Sequence, residues 1–244
     1  MKLSIDALCQ KGLVRENNED ALAVGGLFLR DDATSLNVET SPDGFFYLLV
    51  SDGMGGHENG EEASEFALAE IKEQFALHQI QPESFEDDIR QAVHYISFKL
   101  NRAAADRGQV HPMGCTLTGV VWHYGKIWLI NAGDSRSYRF RGGMLRQLTT
   151  DETERGITGD PEASKYLLNC LGGGCDGRLN VEDMDGKLIE GDILLICSDG
   201  LCDMVPDEQI EAALASGADA AELYRMACEG GGVDNTSIII AKIL

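Results

Sequence analysis

Four aspartates lie in polar clusters beside short apolar runs of this chain. They are Asp52, Asp134, Asp199 and Asp234, within Ser-Asp-Gly-Met-Gly-Gly-His, Ala-Gly-Asp-Ser-Arg, Ser-Asp-Gly-Leu and Val-Asp-Asn-Thr. A carboxylate at the end of a buried strand costs free energy unless a positive group meets it, so we expect all four to converge on one cation site. Glycine after two of them lets a backbone carbonyl approach the ion. Oxygen ligands of this kind favour Mg²⁺ or Mn²⁺ over Zn²⁺.

Several short motifs follow one another over almost the whole chain of 244 residues. They run in the order Arg15-Glu-Asn-Asn-Glu-Asp-Ala, Asp52-Gly-Met-Gly-Gly-His, Gly114-Cys-Thr, Ala132-Gly-Asp-Ser-Arg, Ser198-Asp-Gly and Asp234-Asn-Thr. Each alone is a weak signal, whereas the set in register is specific. In this order they resemble the bacterial-type metal-dependent protein serine/threonine phosphatases (the PPM, or type 2C, family).

The resemblance implies a site for two Mn²⁺ or Mg²⁺ ions. Asp52 would bridge them, with the Gly53 carbonyl on one ion and Asp199 and Asp234 on the other. By resemblance to bacterial members, Asp134 would share Asp199 with a third, weaker ion. Two cations roughly 3.5–4 Å apart neutralise a phosphate monoester and lower the pKa of a bridging water. The structural alternative is that Asp52 caps a turn before the next helix and Asp134 fixes a turn between two strands.

Four further residues are candidates for the catalytic set. Arg15 offers a planar fork for two phosphate oxygens, and Glu19 and Asp20 would accept hydrogen bonds from metal-bound waters. The alternative is a surface Arg–Glu pair worth under about 1 kcal/mol. His57 follows the bacterial motif, whereas many eukaryotic relatives carry histidine where this chain has Met54. His57 is therefore either the general acid for the leaving alkoxide or a solvated turn residue.

Two smaller motif positions have structural interpretations. Asn235 either orients a metal ligand or caps the turn into the last strand, and residues 114–116 pack closely beneath the site.

Composition argues against other classes of function. The chain has 41 Asp and Glu against 20 Lys and Arg, a formal net charge of −21, which leaves little material for the basic face that nucleic acid requires. No apolar stretch approaches the ~20 residues of a membrane span, and Asp6 and Lys11 interrupt any signal-peptide core. The seven cysteines lack Cys-x-x-Cys spacing and are expected to be free thiols.

From these features together with the family resemblance, we expect a cytoplasmic monomer acting on phosphorylated proteins, either substrates of a Ser/Thr kinase or the kinase itself.

Hydrophobic periodicity predicts the elements that position these residues. The chain is interpreted as one α+β domain, 1–244, with residues 30–44 as a loop. The resemblance implies a four-layer α/β/β/α sandwich of two antiparallel sheets flanked by helix pairs. Segment 149–171 occupies the place of the family's mobile flap and is short. The predicted helices are Glu61–His78, a helix through Ile89–Ala104, Asp207–Ala215 and Ala218–Cys228. The predicted strands are Leu3–Cys9, Leu22–Leu29, Phe45–Ser51, Thr116–His123, Lys126–Asn131, Ser135–Phe140, Met144–Leu148, Asn180–Met184, Ile193–Cys197 and Ser237–Ile243.

Three functions stay open at this point. The first is a phosphatase that hydrolyses phosphoserine and phosphothreonine in proteins by direct attack of a metal-activated water. The second is a PPM-like regulatory binding module without turnover, although filled ligand positions argue against it. The third is a small-molecule phosphohydrolase using the same site.

Overall fold

Two antiparallel sheets form the centre of the molecule. The structure, a computed structural model, describes residues 1–55, 58–77, 80–110 and 112–244, the side chain of Glu58 excepted. In this part of the chain the helices are α1 (Glu58–Ala76), α2 (Phe85–Asp106), α3 (Glu154–Thr158), α4 (Asp199–Cys202), α5 (Asp207–Ala215) and α6 (Ala220–Glu229). The strands are β1 (Lys2–Gln10), β2 (Ala21–Val24), β3 (Leu27–Leu29), β4 (Asp32–Glu39), β5 (Phe45–Ser51), β6 (Gly53–Met54), β7 (Gly114–Cys115), β8 (Leu117–His123), β9 (Lys126–Ala132), β10 (Arg136–Arg141), β11 (Met144–Gln147), β12 (Leu171–Gly172), β13 (Asn180–Asp183), β14 (Ile193–Cys197) and β15 (Thr236–Ile243).

The strand order shows how distant parts of the chain become neighbours. Among the described residues, the first large sheet has the order β11-β10-β14-β15-β1-β4 and the second β13-β9-β8-β5-β2-β3. A small third sheet has the order β12-β7-β6. All of these pairings are antiparallel, and β1 lies between β15 and β4. The two ends of the chain therefore pair with each other in the first sheet.

Three buried apolar clusters separate four layers. The central cluster joins the two sheets through residues such as Leu3, Leu48 and Ile239. A second cluster packs α1 and α2 on the outer face of the second sheet, and a third packs α4, α5 and α6 on the outer face of the first sheet. Each buried Leu or Ile contributes about 1.5–3 kcal/mol relative to its exposure. This arrangement confirms the predicted α+β, four-layer α/β/β/α sandwich.

The strands with continuous apolar runs were the easiest to predict. Phe45–Ser51 and Ile193–Cys197 begin and end as predicted, because a strand covered on both faces needs apolar side chains at successive positions. Helix α2 likewise buries the predicted stripe that includes Ile89, Val93, Ile96 and Leu100. Helix α1 begins at Glu58, three residues before the prediction, and ends at Ala76; the predicted end, His78, lies outside the described residues.

Two predictions for the N-terminal region were wrong. Segment 22–29 is two strands, not one, because the chain turns back at Gly25-Gly26, where Gly25 has φ 56°. Segment 30–44 is not a loop, since β4 occupies Asp32–Glu39 and pairs with β1. Its side chains are exposed or half-buried, so this edge strand lacks the apolar signal on which the prediction relied. The two-residue strands β6, β7 and β12 and the short helices α3 and α4 were also not predicted.

None of the helices in the described ranges is long and apolar enough to cross a membrane.

Candidate metal centre

The four aspartates of the sequence motifs line one cavity of about 520 Å³. Asp52 follows β5, Asp134 lies between β9 and β10, Asp199 begins α4 after β14, and Asp234 precedes β15. Strand ends from both large sheets therefore meet there, as the motifs predicted. The lining residues are Arg15, Asn17, Glu19, Asp52, Gly53, Met54, Gly55, Thr116, Asp134, Lys165, Tyr166, Leu167, Asp199, Asp234 and Asn235.

Thr116 fixes the backbone of Asp52 from both sides. The Asp52 amide donates to Thr116 Oγ1 at 3.0 Å, and the Thr116 amide donates to the Asp52 carbonyl at 2.8 Å. Thr116 Oγ1 also shares a hydrogen bond of 2.7 Å with Ser135 Oγ, and Ser135 directly follows Asp134. Thr116 therefore connects two of the predicted ligand loops, a function beyond the close packing that the sequence suggested for it.

Gly53 lies where the loop after β5 meets the start of α1. A Cβ on Gly53 would come within 2.1 Å of the Gly60 carbonyl oxygen and 2.5 Å of the Glu19 carbonyl oxygen. A Cβ on Gly60 would come within 2.6 Å of Glu19 Oε2. Only glycine fits at both positions, so the predicted carbonyl ligand, the helix and the Glu19 carboxylate are in direct contact.

Several carboxylates of the site are buried close to one another, and this raises their pKa values. Burial, followed by repulsion from neighbouring aspartates, raises the pKa of Asp52 well above its usual value. Burial is also the largest cause that raises the pKa of Asp20 and Asp134 to about 7 each and of Asp199 to about 6. Asp199 Oδ1 is buried and has no hydrogen-bond partner among the described residues. A divalent cation would relieve both the repulsion and the unpaired oxygen.

The donor set fits a hard cation. Its candidates are oxygen atoms, which suit Mg²⁺ and Mn²⁺. Within the described residues, no group of three His, Cys, Asp or Glu side chains is already gathered around one point. An ion here would draw on the aspartate carboxylates together with a backbone carbonyl and water, as Mg²⁺ commonly does.

Arg15 lies at the cavity beside a predicted metal ligand. Its Nη2 atom is 2.5 Å from Asp234 Oδ2, and the two side chains are 50% and 32% exposed. The guanidinium is thus open to the solvent of the cavity, where an anionic ligand can reach it.

Glu19 and Asp20, although adjacent in sequence, are placed at different depths. Glu19 is nearly buried and lines the cavity. Asp20 is fully buried and is not among the lining residues; its Oδ2 accepts a hydrogen bond of 2.7 Å from Ser198 Oγ. Ser198 Oγ in turn accepts from the Ser237 amide at 3.0 Å. Asp20 therefore lies behind the cavity, and a buried hydrogen-bond network connects it to Ser198, the residue before Asp199.

Comparison with known proteins agrees with this geometry. The family model described as protein phosphatase 2C matches residues 26–228. This chain belongs to the protein phosphatase 2C family. The match covers most of the chain and includes most strands of both large sheets and the loops of three of the four motif aspartates; β1, β2, β15 and Asp234 lie outside it.

Three relatives illustrate the similarity. The serine/threonine protein phosphatase PstP of Mycobacterium tuberculosis is 30% identical over 257 residues, which cover 98% of this chain and 44% of PstP. The chain thus spans less than half the length of that relative. The serine/threonine phosphatase stp of Listeria monocytogenes is 29% identical over 251 residues, covering 95% of this chain and 92% of stp. A crystal structure of the PstP catalytic domain in complex with two manganese ions is 29% identical, with TM-score 0.73 and 98% of each chain covered.

In this phosphatase 2C site, the Asn235 side chain connects two loops that its motif position did not relate. Its Oδ1 accepts from the Glu19 amide at 2.8 Å, and its Nδ2 donates to the carbonyls of Lys11 and Asn17 at 2.8 and 2.9 Å. Asn235 therefore holds the N-terminal loop with Arg15 and Glu19 against the loop of Asp234. The only hint in the sequence was its place next to that aspartate.

The remaining predicted features are the flap and His57. Segment 149–171 contains α3, whose N-cap Thr153 accepts from the Gly156 amide at 3.0 Å. Its residues Lys165, Tyr166 and Leu167 line the cavity, so this segment forms part of the cavity wall. His57 lies outside the described residues.

Proposed function

We propose that this protein is a Mn²⁺- or Mg²⁺-dependent phosphatase that removes phosphate from serine and threonine residues of proteins by direct attack of water. The observation that carries the proposal is the convergence of Asp52, Asp134, Asp199 and Asp234 on one cavity with an unpaired, buried Asp199 oxygen. Family membership and the manganese ions of the PstP crystal structure support it.

The proposed ligand set follows from the residues around that cavity. Asp52 would bridge two ions, with the Gly53 carbonyl on one and Asp199 and Asp234 on the other, and Asp134 with Asp199 would hold a third, weaker ion. When bound, the cations neutralise phosphate charge and lower the pKa of the attacking water. No covalent intermediate is needed, because water is the nucleophile.

The other residues bind and orient. The Arg15 guanidinium holds two phosphate oxygens with its parallel N–H groups. The Glu19 carboxylate at the cavity wall would accept a hydrogen bond from water and so fix its direction. The buried Asp20 carboxylate would act indirectly, through Ser198 next to Asp199. His57 is proposed as the general acid that protonates the leaving serine or threonine oxygen.

We propose further that residues 1–244 form one phosphatase domain that acts as a monomer in the cytoplasm. Its partners would be phosphorylated proteins, either the substrates of a Ser/Thr kinase or the kinase itself. The open cavity, with the half-exposed Arg15 at its wall, supports a macromolecular substrate because an extended phosphopeptide can lie across it.

Turnover of a phosphoserine peptide with Mn²⁺, before and after EDTA, tests the function. We expect Asp52→Asn and Asp199→Asn to abolish it, because each removes a ligand oxygen. Metal-free Tm should not fall in either variant, since each substitution neutralises a buried charge that repels its neighbours. The control is Asp43→Asn, at an exposed position, which should match the parent.

Equal turnover in the aspartate variants and the parent would remove the two-metal mechanism. A parent that binds the phosphopeptide without turnover with Mn²⁺ would instead be a binding module. Faster hydrolysis of phosphorylated metabolites than of phosphopeptides, compared as kcat/KM, would make it a small-molecule phosphohydrolase.

A further inference from the structure

Arg30, which no motif includes, lies just behind the metal centre. It occupies the turn between β3 and β4, and its side chain is 10% exposed. Its Nε donates to the Asp20 carbonyl at 2.9 Å. Its Nη2 donates to the Glu61 carbonyl and to Ser64 Oγ, each at 2.9 Å. Its Nη1 lies 3.2 Å from a carboxylate oxygen of both Glu61 and Glu65. All three guanidinium nitrogens are therefore engaged.

Ser64 adds a hydrogen bond to the backbone of Glu19, the residue before Asp20. It is fully buried in α1, and its Oγ donates to the Glu19 carbonyl at 2.6 Å. The carbonyls of Glu19 and Asp20 are thus both held, one by the Ser64 hydroxyl and the other by Arg30. Because Arg30 also bonds that hydroxyl, the two contacts form one connected unit.

We propose that Arg30 is a positioning residue for the metal centre. Acting with Ser64, it fixes the backbone of Glu19 and Asp20 against the first turns of α1. The inference rests on the proposed function, because only in a metal-dependent phosphatase would the positions of the Glu19 and Asp20 carboxylates affect activity. Arg30 itself is not among the residues that line the cavity.

The contacts explain why arginine is needed. A guanidinium presents donors in a fixed plane and can bond two segments at once, whereas an ammonium is a single point of charge. Losing it leaves the Asp20 carbonyl without this donor in a buried place. Glu19 has little room to move, since its carboxylate already touches Gly60. A displacement of about 1 Å in such a site costs up to roughly 10²-fold in rate.

The simpler alternative is that Arg30 only braces the turn between β3 and β4. A brace would lower Tm when removed but leave the metal affinity and kcat of the folded protein unchanged. Positioning of Glu19 and Asp20 should instead alter both, because groups that orient metal-bound water typically change affinity or activity 10–100-fold, as a rough range.

The test uses Arg30→Ala and Arg30→Lys with Arg107→Ala as the matched control. Arg107 also pairs with a glutamate of α1, Glu62, at 2.5 and 2.7 Å, but its side chain is half exposed and its hydrogen bonds go to neither Glu19 nor Asp20. For each protein we would measure metal-free Tm, Mn²⁺ affinity by calorimetry, and kcat and KM for a phosphoserine peptide.

We expect both Arg30 variants to lose about 10-fold in Mn²⁺ affinity and roughly 10–100-fold in kcat. Arg107→Ala should keep the parent values. Methylguanidinium ion should restore part of the kcat of Arg30→Ala and none in the control.

Parent-like Mn²⁺ affinity and kcat in a folded Arg30→Ala, with only Tm lowered, would overturn the inference. If Arg30→Ala does not fold, Ser64→Ala carries the test, because it removes the hydroxyl bonded to the Glu19 carbonyl while keeping the arginine. Similar losses of Mn²⁺ affinity and kcat in Ser64→Ala would support the inference. Parent values of both in this variant would overturn it. If the parent binds Mn²⁺ without phosphopeptide turnover, the proposed function fails, and the Mn²⁺ affinities alone decide the role of Arg30.

Discussion

Single residues of this site are governed by the cost of burying like charges together. The pKa of Asp52 is raised well above its usual value by burial and then by Asp20 and Asp199. Among the described residues, Asp52 forms no ion pair with a lysine or arginine, and the nearby Arg15 is paired with Asp234. Buried carboxylates gathered in this way are typical of a site that binds a cation.

Arg15→Lys should raise the KM for phosphoesters more than it lowers kcat. Lysine keeps the positive charge but loses the fork that grips two phosphate oxygens, and this loss falls mainly on ground-state binding. Steady-state kinetics with a phosphoserine peptide measures both constants. An unchanged KM with a lower kcat would mean that Arg15 acts on the transition state.

His57→Ala should distinguish good from poor leaving groups. A serine alkoxide needs a proton in the transition state, whereas p-nitrophenolate is already a stable anion. If His57 is the general acid, its loss slows phosphoserine hydrolysis by roughly 10²-fold and leaves p-nitrophenyl phosphate nearly unaffected. Equal losses on both substrates would indicate damaged loop geometry, and no loss on either would leave His57 a bystander.

At the scale of elements, the site depends on how closely a loop approaches a helix. The loop after β5 passes α1 with glycine on both sides, Gly53 and Gly60, and the Glu19 backbone packs into the same contact. Strand β5 supplies a rigid origin for this loop, because β5 is buried in the middle of the second sheet. The direction of the Gly53 carbonyl is therefore set by this packing. The residue type at position 53 does not set it.

Gly53→Ala should weaken Mn²⁺ binding by about 10-fold or more, while Gly26→Ala leaves it unchanged. The new Cβ at position 53 would meet the Gly60 carbonyl at 2.1 Å, whereas at Gly26 nothing lies within 4 Å. The loop must move away from α1 and carry a predicted ligand with it, a loss of the size seen when the supports of metal ligands change. Calorimetric titration with Mn²⁺ measures the effect. Parent affinity in Gly53→Ala would show that its carbonyl does not bind the ion.

The whole molecule carries a net charge of −21, which affects any charged substrate that approaches it. An acidic protein attracts basic peptides and repels acidic ones over about one Debye length, roughly 10 Å at 0.1 M salt. The bound cations would reverse this field only locally, at the cavity.

Salt should therefore change the preference among phosphopeptides. We expect kcat/KM to fall with ionic strength for a phosphoserine peptide flanked by lysines and to rise for one flanked by glutamates, because screening weakens both attraction and repulsion. Uncharged flanks serve as the control for general salt effects. A parallel response of all three peptides would exclude long-range steering by the net charge.

The sequence by itself determined the features whose signal is local. Buried strands such as Phe45–Ser51 need apolar residues at successive positions, so their bounds could be predicted within the chain. The motif aspartates could be found because several short motifs follow one another in register, although each motif alone is a weak signal. The prediction that they converge needed the further argument that buried carboxylates require a shared cation.

Only the tertiary structure decided the features that depend on distant partners. Strand β4 is polar and becomes a strand because β1 offers its edge. The Asn235 side chain bonds the Glu19 amide across 216 residues, and Arg30 reaches α1 and the Asp20 carbonyl from a turn with no recognisable motif. Hydrogen bonds of this kind depend on which segments the sheets bring together, and that placement is a property of the whole fold that no local pattern of residues records.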